Sequence, residues 1–342
     1  MEIQARQNRG SSLPAHKIFV KNLYRDEIRS GFLVTSHRKK LWNVQIGLIN
    51  EFARVCKKYN LRWFASGGTL LGAVRHGGFI PWDDDVDVRM FRPDYNKLVK
   101  IAAKEFKYPY FLDNWYDYQR EVEMSSSTLR DLSLQLINKE VEDKYPICWP
   151  FTPFLKLRDL RTTMIGIPEA RETNQCIFMD IFPMDAFSSL SEDKNYIKFL
   201  QSLIFLIAAT YPKKIRKLID EDNQSPSLKN ALEIFLSLPY RQRGIFFDDL
   251  ADKNFNDSEK VGLFWDYLVK GHLKDTHEKR FFEKTVYLPF ESIEIPAPFM
   301  YEEFLNILFG DWHKFVIYPS HSSEYSVDIP YAEYYRNSSR MR

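Results

Sequence analysis

"WFASGGTLLGAVRHGGFIPWDDDVDVRM", residues 63–90, decides the reading of this 342-residue chain. A glycine pair interrupts an apolar run, a helix-like segment follows, and four aspartates then fall within five positions, Asp83, Asp84, Asp85 and Asp87. Carboxylates this close repel one another and gain nothing by packing, so either water solvates them or a cation holds them. Read as one strand over 83–90, the segment places Asp83, Asp85 and Asp87 on one face and Val86 and Val88 on the other. Alternate side chains of a strand share a face at about 7 Å spacing, close enough for carboxylates to share one divalent cation or a pair. Asp84 then points away from the other three. A solvated acidic edge strand would need no metal. Strict alternation with core-forming valines favours acids fixed at the rim of a core instead. Oxygen-only ligands suit magnesium or manganese rather than zinc, and no histidine or cysteine lies near enough in sequence to suggest a zinc site.

The glycine turn gives the acids a context. In "SGGTLLG", Ser66, Gly67, Gly68 and Thr69 open a helix with small side chains, the arrangement that offers backbone N–H groups to a phosphate. Arg75 and His76 end that helix, where positive charge suits the C-terminal dipole, and they complete the candidates on the phosphate side. A phosphate cradle followed by a metal-holding strand describes phosphoryl transfer, in which cations neutralise the phosphate while the protein positions it.

Working outward, residues 38–60 read as an amphipathic helix with Leu41, Leu48, Ile49, Phe52 and Cys56 at helical spacing and Asn60 as terminator. "RWFA" reads as a short strand, and Pro93 opens a further helix. Strand-like runs follow at "YPYFLDN", "PFLKLRD" and "CIFMDIFP". "TVYLPFESIEIPAPF" reads as a hairpin limited by prolines, and "MYEEFLNILFG" as a helix stopped by Gly310. The expected fold is α+β: a mixed sheet core flanked by helices over 36–187, a flexible polar arm over 1–35, and a mostly helical C-terminal region over 188–342 that completes the site.

Composition narrows the classes. The chain is 44% hydrophobic with a formal net charge of +2, so it folds and has no global basic field. No clustered basic patch argues for nucleic acid. The three cysteines are scattered, without disulfide or metal-ligand spacing, and read as buried thiols. The N-terminus lacks the apolar core of a secretory signal. The most apolar run, residues 197–214, is too short to span a bilayer and reads first as a buried helix. Its Phe199, Leu203, Leu206 and Ile207, followed by Lys213, Lys214, Arg216 and Lys217, also allow peripheral contact with a membrane face.

The 63–90 stretch resembles the signature of the LicD/fukutin family, within the polymerase-beta-like nucleotidyltransferase superfamily. There a Gly-Gly-Ser-type turn precedes a strand carrying Asp-x-Asp, and a third carboxylate comes from a later strand. Thr69 stands in the serine's place, Asp85 and Asp87 match the Asp-x-Asp pair, and Asp83 matches the further upstream aspartate of the LicD pattern. "FLKLRDLRTT", residues 154–163, resembles the family's basic strand, which makes Lys156 and Arg158 phosphate-contact candidates. "IFMDIFPMD", residues 177–185, resembles the strand that supplies the third carboxylate, which would be Asp180. "FLNILFGDWHKF" is similar to the family's "YGD" segment, although Trp312 and the following "VIYPSHSSEY" depart from its usual proline-rich continuation. The matches run from about 60 to 315.

The resemblance implies a cytoplasmic enzyme that moves a substituted phosphate from a CDP-alcohol, CDP-choline foremost, to a sugar hydroxyl of a lipid-linked or other glycan precursor, releasing CMP. Asp85, Asp87 and Asp180 would hold Mg2+ or Mn2+, with Asp83 beside them. The rival cargo within the family is ribitol or glycerol phosphate. Outside the family, a template-independent nucleotidyltransferase would need a basic or base-stacking nucleic-acid surface, and a calcium module would show Asp/Asn/Gly loop spacing.

Overall fold

Helix α1 (Ser36–Tyr59) starts where Thr35, in extended conformation, accepts the Arg38 backbone N–H at 3.1 Å, and stops where Asn60 turns left-handed at φ 52°. Both ends sit within two residues of the expected ones. Its buried stripe includes Leu41, Trp42, Ile46, Ile49, Phe52 and Cys56. The computed structural model describes residues 20–114, 154–166, 174–187, 242, 245, 248, 255–256, 258–263, 276–317 and 324–334.

Around α1 the chain builds β1 (Glu27–Arg29), β2 (Phe32–Val34), β3 (Phe64–Ala65), α2 (Gly67–His76), β4 (Asp87–Phe91), α3 (Arg92–Glu105) and β5 (Tyr110–Asp113). Later come β6 (Leu155–Asp159), β7 (Thr163–Ile165), β8 (Phe178–Phe187), β9 (Lys260–Gly262) and β10 (Thr276–Glu278). The hairpin β11 (Thr285–Phe290) and β12 (Ile293–Pro298), helix α4 (Tyr301–Phe309) and β13 (Glu324–Ser326) complete the described elements. Seven strands form one sheet, with β8 at its centre. β8 lies parallel to β4 and antiparallel to β6 along its first half, then antiparallel to β9 along its second. The sheet is therefore mixed, and α1 and α3 pack against β8. This is the expected α+β class. Its register sets Asp87 opposite Asp180 and Lys156 opposite Asp180 on the other side.

Two expectations about the ends change. Residues 20–35, assigned by their polar composition to an arm, fold onto the rest: β1 pairs with β2, and Val20, Leu23 and Val34 join the core. A few apolar side chains, two in the turn before β1 and one ending β2, suffice for that, and the surrounding charges mask them in composition. The C-terminal region is not mostly helical among its described residues, where β9 to β13 and irregular segments prevail over α4. Three-residue strands such as β9 and β10 gain their order from the neighbouring strand and carry no readable periodicity of their own. Residues 188–241, including the apolar 197–214 run and its basic neighbours, lie outside the described residues, as do Cys148 and "YPSHSS". Cys56 and Cys176 are buried, as expected, and burial pushes the Cys176 thiol up to about 11. Among the described residues no helix is long and apolar enough to cross a membrane.

Glu291 ties three distant segments together. It sits at the β11–β12 turn with φ 55°, and its backbone N–H donates to the Gly77 carbonyl at 2.8 Å. Its carboxylate, 5% exposed, accepts from Arg29 on β1 and from the Phe79 backbone N–H at 3.3 Å. A methyl group on Gly78 would strike that carboxylate, so the glycine is what lets it approach. The loop 77–82, which delivers the acidic segment, is thus pinned from both ends of the chain.

Glu291→Ala should lower unfolding free energy by about 2–3 kcal/mol, because it strands a buried N–H and leaves Arg29 with Glu27 alone. Urea denaturation of the full chain measures this, and a loss below about 0.5 kcal/mol would mean the loop holds itself.

Candidate active site

The acidic segment is not a strand along its length. Strand β4 begins only at Asp87; the Val86 carbonyl just before it accepts the Asp180 N–H of β8 at 2.8 Å, and residues 83–85 run outside any strand. The Asp83 N–H closes a turn onto the Ile80 carbonyl at 2.9 Å. Helix α1 then takes the carbonyls that a neighbouring strand would have taken. Arg38 Nη1 and Trp42 Nε1 donate to the Asp83 carbonyl at 2.9 and 3.0 Å, and Gln45 Nε2 donates to that of Asp84 at 2.7 Å. Positions 38, 42 and 45 follow one helical face. The Asp87 N–H donates to Thr69 Oγ1 at 2.8 Å, and the Ser66 N–H donates to the Asp87 carbonyl at 3.0 Å. Ser66 and Thr69 therefore fix Asp87 directly.

Asp83, Asp85 and Asp87 all face one cavity, as their alternation predicts. Asp84 departs from the expected picture. It pairs with Arg38 at 3.8 Å, yet Asp83, Asp84 and Asp85 each offer a carboxylate oxygen within 4.8 Å of the others. Asp180 approaches from the other side, paired in register with Asp87 across β4 and β8. Crowding shows in the proton affinities. Burial first, then the Asp85 charge, raises Asp83 to about 8. Burial, followed by Asp85 and Asp180, holds Asp87 well above the usual carboxylate range. Burial also raises Asp180, against the opposing pull of Lys156.

The glycine pair faces these acids. A Cβ on Gly67, whose φ is +53°, would lie 2.6 Å from Asp87 Oδ2, and one on Gly68 would strike Asp83 Oδ2. The nearest group at each Cα is the chain's own carboxylate.

The cations expected to meet phosphate are held by protein groups. Lys156 Nζ lies 2.5 Å from Asp180 Oδ1 and 3.8 Å from the centre of the Phe178 ring. Arg158 is buried against Asp113 at 2.5 Å and donates to the Cys176 carbonyl at 3.2 Å. Arg75 Nη1 donates to the carbonyls of Trp312 and Lys314 at 3.1 and 3.2 Å, and its guanidinium lies 4.6 Å from the Phe315 ring centre. Its Nε donates to His76 Nε2 at 3.1 Å. Burial and the charges of Arg75 and Arg29 lower His76 to about 4, so it is neutral and can accept that bond.

The cavity measures about 310 Å³ and opens beside Gly68 and the acids. Leu71, Ile80 and Trp82 form one apolar wall, and Asp311, Trp312 and Lys314 reach in from the segment after α4. Sequence reading did not single out Trp82, Asp311 or Lys314, nor the three α1 side chains behind the acids. The polar positions 38, 42 and 45 on one face of a buried helix were the available signal for the latter.

This α+β scaffold with its acidic cavity has relatives of known class. Residues 60–162 match the family model described as LicD/FKTN/FKRP, nucleotidyltransferase domain. It is 26% identical to the lipopolysaccharide cholinephosphotransferase LicD of Haemophilus influenzae over 272 residues, 79% of this chain and 89% of the relative. It is 39% identical over 51 residues to the ribitol 5-phosphate transferase FKRP of Homo sapiens, 15% of this chain and 10% of that protein.

Asp83→Asn should stabilise the metal-free protein more at pH 8 than at pH 5. Asp83 keeps its proton to about 8 when folded and loses it in the ordinary carboxylate range when unfolded. Stability therefore falls as pH rises through that window, and asparagine removes the dependence. Thermal melts with chelator across pH 5–8 test this, and a variant tracking the parent at every pH would refute it. Separately, Gly67→Ala should cost about 1–3 kcal/mol from its left-handed backbone and the contact with Asp87, as read by chemical denaturation.

Proposed function

We propose that this chain is a metal-dependent transferase that moves phosphocholine from CDP-choline to a sugar hydroxyl of a cell-surface glycan precursor, releasing CMP. The observation that carries the reading is the row Asp83, Asp85 and Asp87 facing a ligand-sized cavity, with Asp180 in register beside Asp87. The likeness to a cholinephosphotransferase over most of both chains supports the cargo. So does the cavity lining, where a trimethylammonium group suits the faces of Trp82 and Trp312.

The donor set fits magnesium or manganese: only carboxylate oxygens, crowded until burial and mutual repulsion raise their proton affinity. Asp85, Asp87 and Asp180 would hold the ion, which when bound neutralises the diphosphate and the charge developing on the departing CMP. Thr69 and the α1 side chains fix where the acids stand, so no reorganisation accompanies the reaction. Lys156 donates to Asp180 Oδ1, so Oδ2 is the oxygen that would take the proton of the attacking hydroxyl. Leu71, Ile80 and Trp82 exclude water from one side. We place the reaction in the cytoplasm, at the membrane face where CDP-linked donors meet lipid-linked precursors.

CMP release with magnesium from CDP-choline, CDP-ribitol and CDP-glycerol, each offered with sugar acceptors, tests the cargo. CDP-choline should be used at least about tenfold better, and preference for a CDP-polyol would transfer the reading to the ribitol-phosphate branch that the FKRP likeness favours. Asp85→Asn and Asp87→Asn should each cost on the order of a hundredfold or more in turnover. Their melting temperatures without metal should hold or rise, and magnesium should protect the parent more than either variant. Full turnover in both would remove the metal site from the mechanism.

A further inference from the structure

We infer that Lys314 is the cation that binds the donor's phosphate, and that Arg75 is the positioning residue that holds Lys314 over the acidic floor. The inference rests on the cavity taking a CDP-alcohol and adds the residue that meets its phosphate. A diphosphate entering beside Asp83, Asp85 and Asp87 needs positive charge on the side away from the acids. Two cations line the cavity among the described residues, Arg75 and Lys314.

Arg75 is occupied with structure. It bonds two backbone carbonyls and His76, and its guanidinium rests on Phe315. Moving it onto a phosphate would release the segment it holds. Lys156 is likewise bound within a partly buried pair with Asp180. Lys314 differs: its side chain is 76% exposed, and among the described residues its Nζ has a single ion pair, 3.3 Å from Asp311. An exposed i, i+3 pair of this kind is weak, since water and salt screen it, so a phosphate bearing more charge displaces it readily.

The backbone under Lys314 is firm where its side chain is loose. Gly310 ends α4 at φ 66°, the Trp312 N–H donates to the Gly310 carbonyl at 2.8 Å, and the Lys314 N–H donates to the Asp311 carbonyl at 3.1 Å. Arg75 then takes the carbonyls of Trp312 and Lys314 together, which fixes this pair of turns against the end of α2. A flexible ammonium on a clamped backbone suits phosphate recognition, in which a point charge follows the ligand with little loss of precision at its base.

The test compares the parent, Lys314→Ala, Lys314→Arg, Arg75→Lys and the double variant Arg75→Lys/Lys314→Ala, all as full chains. Probes are CMP and CDP-choline with magnesium, read by calorimetric binding and by CMP release. Lys314 is exposed, so its replacement should leave the melting temperature unchanged. Lys314→Ala should weaken CDP-choline binding about ten- to a hundredfold, raise KM far more than it lowers kcat, and flatten the rise of KM with salt. Arginine should restore most of the affinity. If Arg75 acts through Lys314, the double variant should bind no worse than the weaker single variant. Unchanged CDP-choline affinity in Lys314→Ala, with the parent binding normally, overturns the inference and leaves the proposed function standing. A parent that binds neither probe overturns both. A melting temperature that falls along with affinity in Lys314→Ala, without rescue by arginine, assigns the lysine to structure and also overturns it.

Discussion

Mutual repulsion among the carboxylates of Asp83, Asp84, Asp85, Asp87 and Asp180 is the constraint around which this protein is built. Left to itself, such a cluster would splay into water, because burial and like charge both disfavour the ionised form. The surrounding chain blocks that escape while pairing only Asp84, with Arg38, and Asp180, with Lys156, among the described residues. Three α1 side chains hold the carbonyls of Asp83 and Asp84, so the backbone cannot turn outward. Thr69 holds the Asp87 N–H, and pairing of β4 with β8 sets Asp180 beside it. Glu291, bonded to Arg29, Gly77 and Phe79, keeps the preceding loop in place. The ties on Asp83 and Asp87 act on main chain, which leaves their carboxylate oxygens facing the cavity. A scaffold that stores repulsion in this way is stabilised by whatever cation relieves it.

Local features were legible in the sequence. The span of α1, the proline-led start of α3, the β11–β12 hairpin and the glycine stop of α4 follow from capping, periodicity and turn chemistry within a few residues. The alternation of Asp83, Asp85 and Asp87 correctly puts them on one cavity, although the backbone that does so is not a strand before Asp87. That mismatch has a physical origin. Extended chain alternates its side chains whether or not a neighbour pairs with it, so the pattern cannot reveal that α1, and not a strand, satisfies the Asp83 and Asp84 carbonyls.

Long-range pairing was not legible. Arg158 looks like a phosphate ligand on its strand, but Asp113, 45 positions earlier, lies on the adjacent β5 and takes its guanidinium. Arg75 looks like a helix-end charge and is a clamp on a segment more than 200 positions later. Residues 20–35 read as an arm because their few core-forming side chains are diluted by charge; the Arg29 contact with Glu291, the bonds of buried Lys39 to the Asn22 and Arg25 carbonyls, and the burial of Val20, Leu23 and Val34 give them a place. Which cation serves a ligand depends on which cations the fold has already used, and a single sequence does not record that.

The glycine pair shows how one motif can serve a different physical end from the one it suggests. A helix start with small residues carries partial positive charge and welcomes an anion. Here the anions at that start are the chain's own: Asp87 lies against Gly67 and Asp83 against Gly68, each where a methyl group would otherwise sit. The dipole of α2 therefore helps offset the repulsion of the acids before any ligand arrives. The glycines thus act on the cavity through the aspartates they admit: Asp83 and Asp87 line it together with Leu71, Trp82 and Lys314, and a side chain at either glycine would push a carboxylate out of place.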